Sequence, residues 1–259
     1  MDSRPTLDVD ATPSAPQGSD GVTAPTTVTV VVGPRTRLGA AVAARAAAAG
    51  SAVHLLARDR AEAGELAVGG SSVVVAGDTL DLPAGAALRV VVCALGPVHP
   101  GSPAVADVSD AVRRDVDTVQ RLIDAAHGSP VHVVLVSSII AVAPDESRRS
   151  YGGWKAVVEA ELRRIVGQHP GAGLSVVYPG RISDSTGRSL LHTTYTRLAA
   201  AIDALLDGPP TSRVAGLDAR LWLLVHGLVV AAGSLFPGRA VRRGHDRSLP
   251  DSTSERRPA

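Results

Sequence analysis

Residues 26–39 of the chain read TTVTVVVGPRTRLG, a run of seven β-branched residues followed by a glycine-containing loop. A continuous β-branched run without polar alternation predicts a strand buried on both faces. Residues 39–49 are rich in alanine and predict a helix directly after the loop, which Gly50 terminates. A buried strand, a glycine turn and a helix form the first half of a βαβ unit.

The same alternation continues along the chain. Further strands are predicted at residues 52–57, 72–76, 89–94, 131–136 and 174–178, and helices at 59–67, 108–127, 151–166 and 198–206. Strands that alternate with helices indicate an α/β fold, a Rossmann-like doubly wound parallel sheet in a single domain. Ligands in that architecture bind beyond the carboxyl ends of the strands, so the residues that follow each strand are the candidates for function.

The composition of the 259 residues excludes several classes of protein. The net charge is only +1, which argues against a nucleic-acid-binding protein, because such proteins carry a clustered basic surface. The single cysteine excludes a disulfide scaffold and a cysteine-based zinc site, and the eight histidines lack metal-ligand spacing. We therefore expect a small-molecule substrate, no nucleic-acid partner and no metal.

The two ends of the chain differ from the middle. Residues 1–25 mix Pro, Ser, Asp and Thr without an apolar run, which predicts a disordered tail, and residues 239–259 predict a loose basic tail. The Rossmann-like domain is then expected at residues 26–238. The N-terminal residues lack the apolar region of a secretory signal peptide, so a cytoplasmic location is expected.

The most apolar window covers residues 221–236, LWLLVHGLVVAAGSLF. It is shorter than the ~20 residues that a membrane-spanning helix needs. We favour a C-terminal helix that is buried or that forms an interface in a homo-oligomer. Contact with a membrane surface is less favoured, although Arg220 and the arginines of the C-terminal tail keep it open.

The loop after the first strand offers a place for a pyrophosphate group. Gly33 lets the backbone approach the phosphates, and the N-terminus of the following helix supplies N–H donors. As an alternative, Gly33 and Gly39 serve only a tight turn and the packing of the helix, without binding a cofactor. The residues predicted to contact a nucleotide cofactor in this loop are Gly33, Arg35, Arg37, Leu38 and Gly39.

The residues after the second and third strands bear on the kind of cofactor. Arg58 stands where NAD-selective sites usually carry a carboxylate for the ribose 2′-hydroxyl, and arginine forks match a phosphate. We therefore predict that NADP(H) is preferred over NAD(H), with a solvated arginine as the alternative and the adjacent Asp59 as a contrary sign. Asp78 could accept a hydrogen bond from the adenine amino group or could simply be a turn residue.

Ser138, Tyr151 and Lys155 are the candidate catalytic residues. Lys155 is the only lysine beside 25 arginines, and it falls four residues after Tyr151 on a predicted helix, so both share one face. A nearby cation stabilises phenolate, which predicts a lowered pKa for Tyr151 and a role as general acid toward a carbonyl oxygen. Ser138 could hydrogen-bond to the same oxygen. The alternative is an exposed Tyr/Lys pair without a role.

Two other polar features are interpreted structurally. Cys93 lies in a predicted buried strand and is expected to be inert. The acidic and basic pairs in the helix at residues 151–166, which are Glu159, Glu161, Arg163 and Arg164, are expected on a solvated helix face.

These features together resemble the short-chain dehydrogenase/reductase family. The match covers residues 26–215 and is nearest to the atypical NAD(P)H-binding branch, on the segments LLARDR (55–60), VAGDTLD (75–81) and VCALG (92–96). The resemblance implies that Ala94, Leu95 and Gly96 line the cofactor, that Lys155 binds the nicotinamide ribose, and that Pro179 and Gly180 border the nicotinamide. It also implies that Ser138 polarises a substrate carbonyl and that Tyr151 exchanges the proton.

Three departures from the family pattern weaken the assignment of a reaction. The middle glycine of the loop is replaced by Thr36 or Arg37. The chain contains no Asn, so the family's relay asparagine is replaced at best by Asp115 or Asp117. The C-terminal glycine-rich strand of the common branch is expected to be absent. An NADPH-dependent carbonyl reductase is the favoured function, and the alternatives are epimerisation, dehydration or cyclisation with bound cofactor and a non-catalytic NADPH sensor.

Overall fold

A computed structural model describes residues 27–67, 72–93, 105–126, 128–144, 146–184 and 191–235. The predicted tails at residues 1–25 and 239–259 lie outside these ranges.

Nine strands and seven helices make up the described residues. The strands are β1 Thr27–Val32, β2 Ala52–Ala57, β3 Ser72–Val75, β4 Ala87–Val92, β5 Val131–Val136, β6 Ala172–Pro179, β7 Ile182–Ser183, β8 Thr193–Thr194 and β9 Ser212–Ala215. The helices are α1 Arg37–Ala48, α2 Arg60–Ala67, α3 Val105–Ala125, α4 Ile139–Val142, α5 Arg149–Gly167, α6 Tyr195–Leu206 and α7 Leu217–Leu235, with a 3₁₀ turn at Glu146–Arg148.

Seven of the strands form one sheet in the order β3-β2-β1-β4-β5-β6-β9, and every neighbouring pair is parallel. The order reverses between β1 and β4, which is the point where doubly wound sheets open a crevice for a ligand. The prediction of a Rossmann-like α/β fold is confirmed. β7 and β8 form a separate two-stranded parallel sheet.

The central strands are buried on both faces, and this explains their uninterrupted runs of valine. Val30 and Val90 belong to a core that also contains Leu162 of α5. Their neighbours Val31 and Val91 point to the other face, in a core with helices α1 and α6. Because successive side chains alternate between the faces of a strand, both faces must be apolar when helices cover both.

The C-terminal part of the sheet differs from the prediction. A seventh strand, β9, pairs with β6 through residues such as Val214 opposite Tyr178. The sequence does not predict this strand, and its four residues contain no glycine. Its four residues, SRVA, lack the apolar run that marks the other strands, because β9 is short and lies at the edge of the sheet.

Helix α7 also differs from the prediction. It begins at Leu217, four residues before the apolar window. Of the two favoured alternatives, a buried helix is wrong, because Leu228 and Val229 are 62% and 65% exposed. In the part of the chain that the structure describes, we find no helix with the length and apolarity required to cross a membrane.

Candidate active site

The loop between β1 and α1 has the geometry of a tight strand-to-helix turn. Gly33 has a φ of 78°, a left-handed conformation that favours glycine. Thr36 caps helix α1: its Oγ1 accepts a hydrogen bond from the backbone N–H of Gly39 at 2.9 Å and donates one to the carbonyl of Gly33 at 2.8 Å. Thr36, one of the two residues that can stand in place of the missing middle glycine, therefore fixes the helix N-terminus to the turn.

Gly39 is needed for close packing in the same loop. A β-carbon at position 39 would lie well inside 3.0 Å of the carbonyl oxygen of Gly33. The neighbouring Leu38 is buried in the core beneath the loop. The loop thus presents a glycine backbone and a helix N-terminus to the crevice, which is the arrangement that suits a pyrophosphate.

All three arginines predicted to favour NADP(H) are exposed, and each forms an ion pair. Arg35 lies 2.9 Å from Glu65, Arg58 lies 3.0 Å from the buried Glu62, and Arg37 pairs with Asp184. The Asp184 carboxylate hydrogen-bonds to the Arg37 guanidinium and so raises its pKa. The ion pairs of Arg35 and Arg37 are exposed on both sides and contribute little to stability, so these two arginines can exchange a carboxylate for a phosphate at small cost. Arg58 is held by a buried carboxylate and is less free to do so.

Asp59, the contrary sign beside Arg58, has a structural role. Its Oδ1 accepts a hydrogen bond from the backbone N–H of Glu62 at 2.9 Å, at the N-terminus of α2. A carboxylate in this position caps the helix and interacts favourably with its dipole.

Asp78 lines a cavity of about 770 Å³ between α3 and the connection from β3 to β4. Gly77 before it has a φ of 104°, and the Asp78 backbone N–H donates to the carbonyl of Val75 at 2.9 Å, as in a turn. The side chain accepts a hydrogen bond from Arg60 at 3.2 Å. Asp78 thus has the backbone geometry of a turn residue, and its side chain also reaches a cavity, as an acceptor for the adenine amino group would.

Ser138 and Tyr151 meet beyond the end of β5. Ser138 is the N-cap of the short helix α4, and its Oγ accepts a hydrogen bond from the backbone N–H of Ile140 at 3.3 Å. Tyr151 lies half-buried in the first turns of α5, and its hydroxyl hydrogen-bonds to the Ser138 side chain. Two residues thirteen positions apart in the sequence are therefore brought into direct contact.

Lys155 completes the group. Its side chain is buried, with only 5% of the residue exposed, and its Nζ lies 5.9 Å from the centre of the Tyr151 ring. The residues four apart on α5 therefore lie on one face, as the spacing predicts.

The pKa of Tyr151 departs from the prediction. Burial raises it above its ordinary value of 10.0, while the hydrogen bond with Ser138 and the charge of Arg148 lower it by less. The expectation that Lys155 lowers the pKa of Tyr151 is wrong for the chain alone, because the loss of solvent around the phenol outweighs the hydrogen bond with Ser138 and the charge of Arg148. The phenol is consequently protonated at neutral pH.

Gly152 is a site residue that the sequence analysis did not identify. A β-carbon at position 152 would lie 2.5 Å from the carbonyl oxygen of Ile140. The glycine therefore lets α5 approach α4 closely enough for Tyr151 to reach Ser138. The only signal in the sequence is its position next to the tyrosine.

A cleft of about 500 Å³ opens beside Ser138. Its wall combines apolar residues with two arginines, a histidine and a carboxylate. The lining residues are Ser138, Ile139, Ile140, Arg148, Gly180, Arg181, His192, Asp218, Ala219 and Trp222. A cleft of this size suits a small organic molecule.

Pro179 and Gly180 lie at the carboxyl end of β6, next to this cleft. The backbone N–H of Gly180 donates to the carbonyl of Ala215 at 3.2 Å, and a β-carbon at position 180 would overlap the carboxylate of Asp218. Asp218 also accepts a hydrogen bond from the backbone N–H of Arg181 at 2.6 Å. Gly180 is thus required by the aspartate that packs against it.

Several predicted residues are not brought into this site or cannot be compared with it. Ala94, Leu95 and Gly96 lie outside the described residues. Of the two aspartates considered in place of the relay asparagine, Asp117 is exposed on α3. The side chain of Asp115 is not among those that the structure describes. Burial raises the pKa of the Cys93 thiol to about 12, which agrees with the expectation that this cysteine is inert.

The helical charges of α5 are only partly solvated. Arg163 and Glu159 form a pair at 2.8 Å, and Arg164 pairs with Glu161. The carboxylate of Glu159, however, also accepts a hydrogen bond of 2.6 Å from the buried Tyr178 hydroxyl. The interpretation of Glu159 as part of a solvated face is therefore wrong.

A scan against protein-family models and a search of curated proteins give no match. Solved structures do match. A short-chain dehydrogenase from Streptomyces avermitilis is 20% identical with a TM-score of 0.63, over 83% of this chain and 97% of that one. A short-chain dehydrogenase from Burkholderia cenocepacia J2315, solved in complex with NADP, is 16% identical with a TM-score of 0.59, over 82% and 97%.

A third match is 3-oxoacyl-[acyl-carrier protein] reductase from Brucella melitensis, solved in complex with NAD. It is 20% identical with a TM-score of 0.57, over 77% of this chain and 99% of that one. Nearly the whole of each matched protein is therefore aligned with this chain. The chain has the fold of the short-chain dehydrogenase/reductases.

Proposed function

We propose that this protein is an NADPH-dependent reductase that acts on a carbonyl group of a small or medium organic substrate in the cytoplasm. The observation that carries the proposal is the hydrogen bond between Ser138 and Tyr151, with the Nζ of the buried Lys155 5.9 Å from the centre of the phenol ring. A protonated phenol held by a serine hydroxyl beside a cleft is suited to protonating a carbonyl oxygen.

The residues around the first loop fit a dinucleotide. Gly33 and the N-terminus of α1 follow the carboxyl end of β1, where their backbone N–H groups can bind the pyrophosphate. When bound, a nicotinamide cofactor supplies the hydride for this chemistry. Ser138 then donates a hydrogen bond to the substrate carbonyl oxygen, Tyr151 transfers its proton to that oxygen, and the product is the alcohol. The ammonium of Lys155 stabilises the resulting phenolate.

The direct test is the rate of NADPH oxidation across a panel of ketones. We expect Tyr151→Phe to lower kcat by ~10²–10⁴-fold, the range of general acid catalysis. Tyr178→Phe is the matched control, because it removes a tyrosine hydroxyl that bonds to Glu159 instead. Equal rates in wild type and Tyr151→Phe would refute the role of Tyr151.

The same assay separates the alternative functions. A product isomer formed at constant NADPH absorbance would indicate epimerisation or another non-redox reaction. NADPH binding without turnover of any ketone would indicate a sensor.

The preference for NADP(H) over NAD(H) is a second part of the proposal. It is supported by three exposed arginines near the first loop, Arg35, Arg37 and Arg58, and by the use of Asp59 as a helix cap. Calorimetric titration should show that NADPH binds more tightly than NADH, and Arg58→Ala should narrow the difference. Arg164→Ala, which removes an exposed arginine from α5, is the control. Similar affinities of the wild-type protein for both cofactors would contradict the assignment.

A further inference from the structure

The cleft beside Ser138 has a basic wall. Arg148 and Arg181 both line its volume of about 500 Å³, together with the half-buried His192. Both arginines are exposed, so a molecule that enters the cleft can reach them. A cleft lined by one sign of charge concentrates ligands of the opposite sign, which here are anions.

The backbone of Arg181 is held in place, and its side chain is available. Arg181 follows Gly180 beyond the end of β6, and its N–H donates to Oδ2 of Asp218 at 2.6 Å. Its guanidinium forms no ion pair with a carboxylate of the described residues, whereas Arg35 and Arg37 of the first loop are both paired. An anion that binds to Arg181 therefore has no carboxylate of these residues to displace.

Asp218 is the one carboxylate among the described residues of this wall, and both of its oxygens are engaged or buried. Oδ2 accepts the N–H of Arg181, and Oδ1 is buried, 2.5 Å from where a β-carbon at position 216 would lie. Asp218 belongs to the first turn of α7, where the helix dipole offsets a negative charge. The two guanidinium groups of the wall therefore outweigh it.

A smaller cavity, of about 230 Å³, adjoins the cleft at His192, which lines both. Arg197 of α6 and Arg220 of α7 line it, and neither guanidinium pairs with a carboxylate in the part of the chain that the structure describes. Its described lining includes no Asp or Glu. The cleft and this cavity thus form one basic region that begins at Ser138 and continues past His192.

The planar fork of an arginine side chain matches the geometry of a carboxylate or a phosphate. We propose that the substrate is an anionic carbonyl compound, whose carboxylate or phosphate group binds to Arg181 while its carbonyl group lies at Ser138 and Tyr151. The other arginines of the basic region attract the anion without needing to touch it. The inference rests on the proposed function, because it names the class of substrate that the same site reduces.

The first measurement compares ketones that differ in charge. We expect a higher kcat/KM with NADPH for levulinate than for methyl levulinate if the anion is a carboxylate, and for dihydroxyacetone phosphate than for dihydroxyacetone if it is a phosphate. Arg181→Gln should lower the ratio within the preferred pair by about 10–100-fold, as for the loss of a hydrogen bond to a charged group. Arg181→Lys, which keeps the charge, should lower it less. Arg114→Gln, which removes an exposed arginine of α3 that lines neither cavity, is the matched control and should keep the ratio.

The second measurement separates binding of the anion from the reaction. The same compounds are titrated calorimetrically into the full-length protein with saturating NADP⁺, which keeps anions from the first loop. The anionic member of one pair should bind about tenfold more tightly than the neutral member, and Arg181→Gln should remove the difference.

The outcomes distinguish this inference from the proposed function. Equal kcat/KM and equal affinity within both pairs would overturn the inference and leave the reductase standing, as would a preference for anions that Arg181→Gln does not change. Reduction of no ketone, together with anion binding that is lost in Arg181→Gln, would refute the reductase and support the anion site.

Discussion

Gly152 of α5 lies directly against the carbonyl group of Ile140 in α4, with room for a hydrogen atom but not for a side chain. The two helices bring Tyr151 and Ser138 together only because this approach is so close. A methyl group at position 152 would have to push the helices apart, and packing of this kind adjusts poorly.

Gly152→Ala is therefore expected to lower the free energy of unfolding by about 1–3 kcal/mol, as for other overpacking substitutions, and to reduce carbonyl reduction more than a stability loss alone explains. Gly153→Ala is the matched control, because a β-carbon there meets nothing within 4 Å. That variant should be neutral or more stable by up to ~1 kcal/mol, from the helix propensity of alanine. Urea denaturation and kcat measured on both variants check the expectation, and similar behaviour of the two would contradict it.

Gly39→Ala is expected to weaken cofactor binding. Its β-carbon would overlap the carbonyl of Gly33 and displace the turn that faces the crevice. We expect NADPH affinity to fall by about tenfold or more, equivalent to ~1.4 kcal/mol, in calorimetric titration. Gly64→Ala in α2, where the added methyl group meets open space, should leave the affinity unchanged.

Tyr178→Phe is expected to change stability at high pH. Burial, followed by the hydrogen bond to Glu159, raises the pKa of Tyr178 from 10.0 to about 12 in the folded protein. Below pH 10 the phenol is protonated in both states, so its contribution to stability is complete. Between pH 10 and about 12 the unfolded chain loses this proton first, and the contribution is lost as the pH rises.

The measurement is the urea midpoint of wild type and Tyr178→Phe from pH 8 to pH 12. The variant should be less stable at pH 8, by ~1.5–3 kcal/mol for a hydrogen bond to a charged group. The difference should shrink above pH 10. A constant difference over the whole range would show that the Tyr178 pKa is not raised.

Trp222→Phe is expected to loosen α7. The indole N–H is the donor to the carbonyl of Ala143, a residue without solvent exposure. Phenylalanine has no N–H group, so the buried carbonyl of Ala143 loses this hydrogen-bond donor. The free energy of unfolding should fall by ~1–3 kcal/mol as a result. Trp154→Phe, which shortens another half-buried tryptophan on the same core, is the comparison. The urea midpoint should fall further for Trp222→Phe, and equal shifts would argue against the hydrogen bond as the cause.

The sequence predicts the central sheet well and the edges less well. β2 and β5 have the predicted bounds because each is an apolar run, interrupted only by one histidine, that ends at a polar residue. β9 is not predicted because an edge strand of four residues, with Ser212 and Arg213 exposed, gives no periodic signal. Its place is set by pairing with β6, a long-range contact that local composition does not encode.

The site shows the same division. The approach of Tyr151 to Ser138, and of Lys155 to the Tyr151 ring, follows from strand order and helical spacing, which the sequence reveals. The direction of the Tyr151 pKa does not, because it depends on how much solvent the fold removes from the phenol. The need for glycine at position 152 depends likewise on a helix crossing that appears only in three dimensions.

The burial of Lys155 has a practical consequence for chemical labelling. The chain has no other lysine, so a reagent that acylates amines has a single side-chain target, and that target belongs to the proposed active site. The extent of modification at this one residue, read by peptide mass spectrometry, reports directly on access to the site. A ligand that fills the crevice can therefore be detected through protection of Lys155, even while the substrate itself is unidentified.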